Sequence, residues 1–361
     1  MSEAAAPDTS RILSILQQAC EKDCSDVFLI PGLPVTYKVR GHQDRVGDRI
    51  FDSDTRELTE EIYALSKRPR TLHYEKGEDD DFSFAVRDLS RFRVNIFRQR
   101  GSLAAVIRVI KRTLPDPEEL RIPESVLSLA DSPRGLVLVT GAAGSGKSTT
   151  LACMIDRINR TRDCHVITME DPIEYMHRHN RAIVSQREIF ADSPSYLDAL
   201  RSALRESPDV LLLGEMRDYD TISAAITAAE TGILLFSTLH TVSASATIGR
   251  IVDVFPSGAK EQVKLQLSQL LRGIVCQQLV PTVDGGLVPA FEIMKTVPAI
   301  QNMIREDKYH QLDNVISAGA ADGMCTMNDA LIRLYKAGTI TKETAFAYST
   351  NYDGMVRKLG R

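Results

Sequence analysis

The run Gly141-Ala142-Ala143-Gly144-Ser145-Gly146-Lys147-Ser148 lies between the apolar stretch Leu136-Val137-Leu138-Val139-Thr140 and the segment Thr149-Thr150-Leu151-Ala152-Cys153-Met154-Ile155. It fits the phosphate-binding loop pattern in the strand-to-helix setting which that pattern requires. Glycines let the backbone wrap a phosphate closely. Successive N–H groups and the positive end of the following helix then offer donors to anionic oxygens. Lys147 reaches the outer phosphates as a point charge, and the Ser148 hydroxyl can ligate a magnesium ion that bridges them. The loop thus predicts a site for a nucleoside triphosphate with Mg2+, built by Gly141, Ala142, Ala143, Gly144, Ser145, Gly146, Lys147, Ser148 and Thr149.

A chain of 361 residues is too long for one small core and implies two domains or three. No apolar run reaches the length of a membrane span, and Met1–Asp8 lacks the charged-then-apolar order of a secretory signal, so a cytoplasmic protein is expected. Lys and Arg number 44 against 48 Asp and Glu, a net charge of -4, which argues against a nucleic acid partner. The six cysteines are scattered. Only Cys20 and Cys24 lie close, with no second pair to complete a zinc site, so reduced structural thiols are expected.

Arg11–Cys20 has apolar positions at helical spacing, and Ser25–Ile30 reads as a strand ended by Pro31-Gly32. Val35–Val39, Phe82–Val86, Arg91–Phe97 and Leu103–Ile110 add strands, the last three spaced as an antiparallel meander. A small α+β domain over residues 1–112 is expected. Two prolines amid charge mark Lys111–Glu119 as the linker region, placed at about 113–120. Beyond it, over 121–361, the buried strands Leu136–Thr140, His165–Met169, Val210–Leu213 and Ile233–Thr238 alternate with helices. That alternation predicts a mostly parallel sheet covered on both faces, with ligand at the carboxyl ends of the strands. From about residue 298 the chain reads as short helices, including Met327–Leu334 and Thr341–Tyr348.

Three constellations follow those strands. Asp209-Val210-Leu211-Leu212-Leu213-Gly214-Glu215 is an apolar strand ending in an acid, the Walker B arrangement. It puts Glu215 near magnesium and the γ-phosphate, to orient or deprotonate the attacking water. Glu170, Asp171 and Glu174 crowd three carboxylates into five residues after a strand. Clustered acids repel unless a cation or arginine compensates, so they suit either a site beside Mg-nucleotide or a solvated turn. His240 follows a fourth strand; taken alone, such a histidine is structural or functional.

With these residues in place, the chain resembles the PilT/PilU retraction ATPases of type IV pili, within the secretion ATPase superfamily. The resemblance rests on Met169–Tyr175 (the Asp box), Gly214–Asp218 (Walker B), Ala228–Gly232 with Ser237–Thr241 (the His box), Arg250–Pro256, Arg91–Asn95 and Pro133–Gly141. It implies an α/β protein with a PAS-like N-terminal domain, a RecA-like P-loop ATPase domain and a helical C-terminal tail. It also implies a homohexamer that hydrolyses ATP to drive pilus retraction and twitching motility. The family would assign catalytic roles to Glu215, Glu170, Glu174 and His240, and metal contacts to Ser148, Asp171 and Glu215. Arg91, Arg93 and Arg108 match N-terminal-domain arginines that offset charge on the transferring phosphate. Expected partners are a PilC-like inner-membrane platform protein and a paralogous PilT/PilU ATPase, at the inner face of the cytoplasmic membrane, with no integral membrane segment and no nucleic acid.

The alternatives are a pilus assembly or type II secretion ATPase, or a weakly hydrolysing accessory subunit. Departures from the family are Ala142-Ala143 for its usual Pro-Thr, Ile233 where His is common, and Gln301 for the Arg of a C-terminal motif tied to retraction. The ending Asp353–Gly360 and Gln277-Gln278-Leu279-Val280-Pro281 look PilU-like, whereas Met216-Arg217-Asp218 looks PilT-like.

Overall fold

A computed structural model describes residues 8–39, 41–67, 78–110 and 114–360. Lys111, Arg112 and Thr113, where the expected linker begins, and residues 1–7 of the expected signal-free N-terminus lie outside the described residues. The chain forms two compact units divided between Thr113 and Leu114, with Glu174–Met176 grouped with the first.

The first unit carries a six-stranded sheet in the order β3-β2-β1-β6-β5-β4. Its strands are β1 (Asp26–Leu29), β2 (Pro34–Val39), β3 (His42–Arg49), β4 (Asp80–Val86), β5 (Ser90–Gln99) and β6 (Ser102–Ile110), and every pairing is antiparallel. The apolar residues Ile12, Ile15, Leu16 and Ala19 recur every three or four positions, which gives helix Ser10–Glu21 one buried face. A second helix, Asp52–Ser66, shares that core through Leu58 and Ile62. Its Glu61 side chain accepts a hydrogen bond from the Ile12 N–H at 2.8 Å, which satisfies one of the donors a helix start leaves open.

The second unit holds a seven-stranded sheet in the order β13-β12-β7-β11-β10-β8-β9. The strands are β7 (Gly135–Thr140), β8 (His165–Glu170), β9 (Ile183–Glu188), β10 (Val210–Leu213), β11 (Leu234–Leu239), β12 (Leu271–Pro281) and β13 (Leu287–Lys295). All pairings are parallel except β12–β13. Strand side chains alternate across the sheet, and the core divides accordingly. Leu136, Leu138, Leu211 and Leu213 enter one apolar cluster, while Val137, Val139, Val210 and Leu212 enter the other. Continuous apolar strands are what a sheet buried on both faces demands. The strand order reverses at β7, where the chain runs outward through β8 on one side and returns as β12 on the other, so a crevice opens at its carboxyl end.

Strands β9, β12 and β13 extend the sheet beyond the four strands read from the sequence. On β13, Glu292 is 1% exposed. Its carboxylate accepts from the N–H of Ala244 at 2.7 Å and of Met327 at 3.3 Å, the first residues of helices Ala244–Asp253 and Met327–Lys336. Burial outweighs those two donors and pushes its pKa up from 4.5 to about 7. Because the folded value is the higher one, the folded chain holds a proton here that the unfolded chain has released between about pH 4.5 and 7. The stabilisation is complete below that window and lost as pH rises through it. Urea denaturation at pH 4.5 and pH 8 should therefore show the wild-type chain losing about 3 kcal/mol relative to Glu292→Gln. An unchanged difference would mean the carboxyl titrates alike in both states.

Candidate nucleotide site

The loop after β7 takes the conformation its glycines permit. Gly141, Gly144 and Gly146 have φ of 143°, 76° and 88°, where a Cβ is strained. Space excludes one as well at Gly141, since its Cβ would lie 2.2 Å from the Gln277 carbonyl oxygen. Helix Lys147–Thr161 begins directly after Gly146, so its open N–H groups face the loop. Lys147 is 9% exposed. Its Nζ donates to the carbonyl oxygens of Gly141 at 2.8 Å and Ala142 at 2.9 Å, which places a cation over the concave side of the loop. A cavity of about 590 Å³ opens beside it, lined by Gly146, Thr149, Thr150 and Gln277 among others, within the size range of small-molecule sites.

The neighbouring strand ends are laced to this one. Gly141 N–H donates to Leu239 O at 3.3 Å, Met216 N–H to Thr238 O at 3.1 Å, and Gly214 N–H to Met169 O at 2.8 Å. The Thr238 hydroxyl closes the set on Gly214 O at 2.6 Å. The sequence-predicted His240, Glu215 and Glu170 therefore stand at the ends of β11, β10 and β8, on the same edge of the sheet as the loop.

Glu215 has a cationic and a polar neighbour. Its Oε2 lies 2.7 Å from Arg217 Nε and 3.5 Å from His240 Nε2. Glu170 Oε1 accepts from the Thr168 hydroxyl at 2.6 Å and from Gln186 Nε2 at 3.3 Å. Tyr196 marks the convergence of the acids. Its burial, then the negative charges of Glu215, Asp171 and Glu170, hold the phenol well above its usual pKa. Its Oη would lie 2.8 Å from a Cβ at position 214, so Gly214 lets Tyr196 sit against the Walker B turn. Asp218 is committed to structure, since its carboxylate accepts from the Thr221 N–H and caps helix Tyr219–Glu230.

Nothing local in the sequence singled out Tyr196, and Arg217 stood out only as part of the Walker B stretch Gly214–Asp218, with no role read for it. The signals that could have found them are the Ser195 cap that starts Tyr196's helix and the position of Arg217 two residues after Glu215.

Among the described residues, no group of three or more His, Cys, Asp or Glu side chains is placed to hold a metal by itself. Magnesium is usually held by few protein oxygens plus phosphates. The oxygen donors Ser148, Asp171 and Glu215 fit that chemistry.

Glu174 is grouped with the first unit, whereas Glu170 and Glu215 belong to the second. The three arginines share a face of the first unit's sheet. Alternation on β5 buries Phe92, Val94 and Ile96 and sends Arg91 and Arg93 to the other side. Arg93 stands opposite Arg108 on β6. Like charges so placed repel, and acids compensate them. Arg93 grips Asp81 through two hydrogen bonds of 2.9 and 2.7 Å, and Arg108 Nε reaches Asp26 at 3.1 Å.

Comparison with known proteins places this geometry in context. Residues 2–324 match the family model described as "Type II/IV secretion system protein". The chain is 44% identical over 334 residues to the "Type IV pilus retractation ATPase PilT" of Pseudomonas aeruginosa, covering 92% of this chain and 96% of that one. It is 42% identical over 345 residues to the "Twitching motility protein" of Neisseria gonorrhoeae, covering 95% and 92%. A crystal structure of the pilus retraction motor PilT with bound ADP superposes with a TM-score of 0.88 at 44% identity, over 96% of this chain and 99% of that one.

Proposed function

The chain belongs to the type II/IV secretion system protein family, and from that premise we propose that it is an ATPase motor powering the retraction of type IV pili. The observation that carries this reading is its near end-to-end likeness, at 44% identity, to a relative named as a pilus retraction ATPase. The site supplies chemistry that such a motor needs. Lys147 and the loop N–H groups would bind the phosphates, and Ser148 would ligate magnesium with Asp171 and Glu215 nearby. Magnesium, when bound, neutralises charge on the outer phosphates. Glu215 would take the proton of the attacking water, with Glu170, Glu174 and His240 helping to orient it. Arg91, Arg93 and Arg108 would offset phosphate charge from the N-terminal unit, once released from Asp81 and Asp26 where those acids hold them.

No helix among the described residues is long and apolar enough to cross a membrane. We place the motor in the cytoplasm as a homohexamer, docked on a PilC-like platform protein at the inner membrane face and working beside a paralogous ATPase.

Gene disruption followed by pilus imaging tests the proposal. Excess surface pili without twitching are expected, and the wild-type gene should restore motility whereas an Arg93→Ala, Arg108→Ala double variant should not. Loss of pili on disruption would point to assembly instead, and motility restored by the double variant would remove these two arginines from the mechanism.

A further inference from the structure

The phosphate loop owes its flexibility to glycine, and beyond the Lys147 clasp on Gly141 and Ala142 its shape depends on what packs against it. Gln277 is the side chain that touches it from the neighbouring strand. It is 4% exposed and follows Cys276, the residue of β12 paired with Thr140 at the end of β7. That register puts Gln277 beside Gly141, the first residue of the loop.

Three contacts follow. The main-chain carbonyl oxygen of Gln277, which any residue at this position supplies, crowds Gly141, 2.2 Å from where a Cβ would be. Its amide Nε2 lies 2.8 Å from the corresponding point on Gly146, the last glycine of the loop. Its Oε1 accepts from the hydroxyl of Thr150, in the first turn of helix Lys147–Thr161, at 2.7 Å. Thr150 is itself fully buried, so this bond is shielded from competing water.

We propose that Gln277 is a positioning residue for the phosphate loop: its side-chain amide, bonded to Thr150 and set against Gly146, fixes the last glycine of the loop relative to the helix start, so that the loop N–H groups converge on one anion. This role rests on the nucleotide-site reading above. Backbone donors serve an anion only if they are already aimed at it. An apolar side chain of similar size would fill the space without fixing a direction, because a hydrogen bond is angular and a hydrophobic contact is not.

The test uses the purified full chain, with Gln277→Leu, Thr150→Val and the double variant, read by ADP binding, by KM and kcat for ATP, and by the urea midpoint. Each single change should weaken ADP binding about tenfold and raise KM more than it lowers kcat. Each should also lower the midpoint, because a buried polar group loses its partner. Replacing both partners removes the unpaired group, so the double variant should recover much of the midpoint while binding stays as weak as in Gln277→Leu. If Gln277→Leu does not fold alone, Thr150→Val and the double variant carry the same comparison.

Affinity that recovers together with the midpoint would overturn the proposal, as would wild-type affinity in the single variants. A wild-type chain that bound no ADP would overturn the nucleotide site itself and this role with it.

Discussion

Replacing Lys147 with Ala should reduce ATP turnover by the purified chain to background, a fall of about three orders of magnitude or more, on the scale of losing a charged group aimed at a transition state. The side chain is doubly placed. Its Nζ clasps the carbonyls of Gly141 and Ala142, which gathers the loop around the position a phosphate would take. It is also the cation contributed by the loop itself, and the charge on the outer phosphates grows less tolerable without it. The fold should survive, because the core of the second unit is built from strands and helices whose apolar residues pack without Lys147. Turnover measured beside a urea melt separates the two effects. Near-wild-type turnover in a pure preparation would mean that ATP is hydrolysed elsewhere.

Much of this arrangement was legible in the sequence because it is written in local patterns. β7, β8, β10 and β11 are apolar runs buried on both faces, and each leads into a turn that carries chemistry, so strand, loop and carboxylate could be read together. Other parts depend on contacts distant in sequence. β3 (His42–Arg49) is mostly exposed and polar, so it has no hydrophobic alternation to betray a strand. Helix Asp52–Ser66 buries Thr55, Thr59 and Glu61 alongside its apolar residues, which blurs its face.

β12 and β13 mix Gln277, Gln278, Pro289 and Glu292 into their runs. Gln277 and Glu292 are buried polar residues that bond to the first turns of helices, a role no periodicity displays. Gln277 stood out only as part of a family-branch pattern, and its contact with Thr150 spans 127 residues. The gathering of Glu170, Asp171 and Glu215 about Tyr196 likewise follows from strand order rather than spacing.

Glu215→Gln should separate binding from chemistry. The amide keeps the size of the carboxylate and can still accept from Arg217, which lies 2.7 Å away in the wild type, so the Walker B turn should hold. What it loses is basicity. A neutral amide cannot take the proton that water must give up as it attacks, and the loss of a general base costs about two orders of magnitude or more in rate. Removing the negative charge also relieves repulsion with the phosphates, so ATP should bind at least as tightly as in the wild type.

We expect ATP to be hydrolysed at the strand ends around Gly141–Ser148, with Glu215 as the base. This is tested most directly by measuring bound ATP and released phosphate in the same sample of wild-type and Glu215→Gln protein. Glu215→Gln should bind ATP equally or more tightly while releasing phosphate about a hundredfold or more slowly; phosphate release at the wild-type rate, or binding lost in step with turnover, would rule out Glu215 as the base.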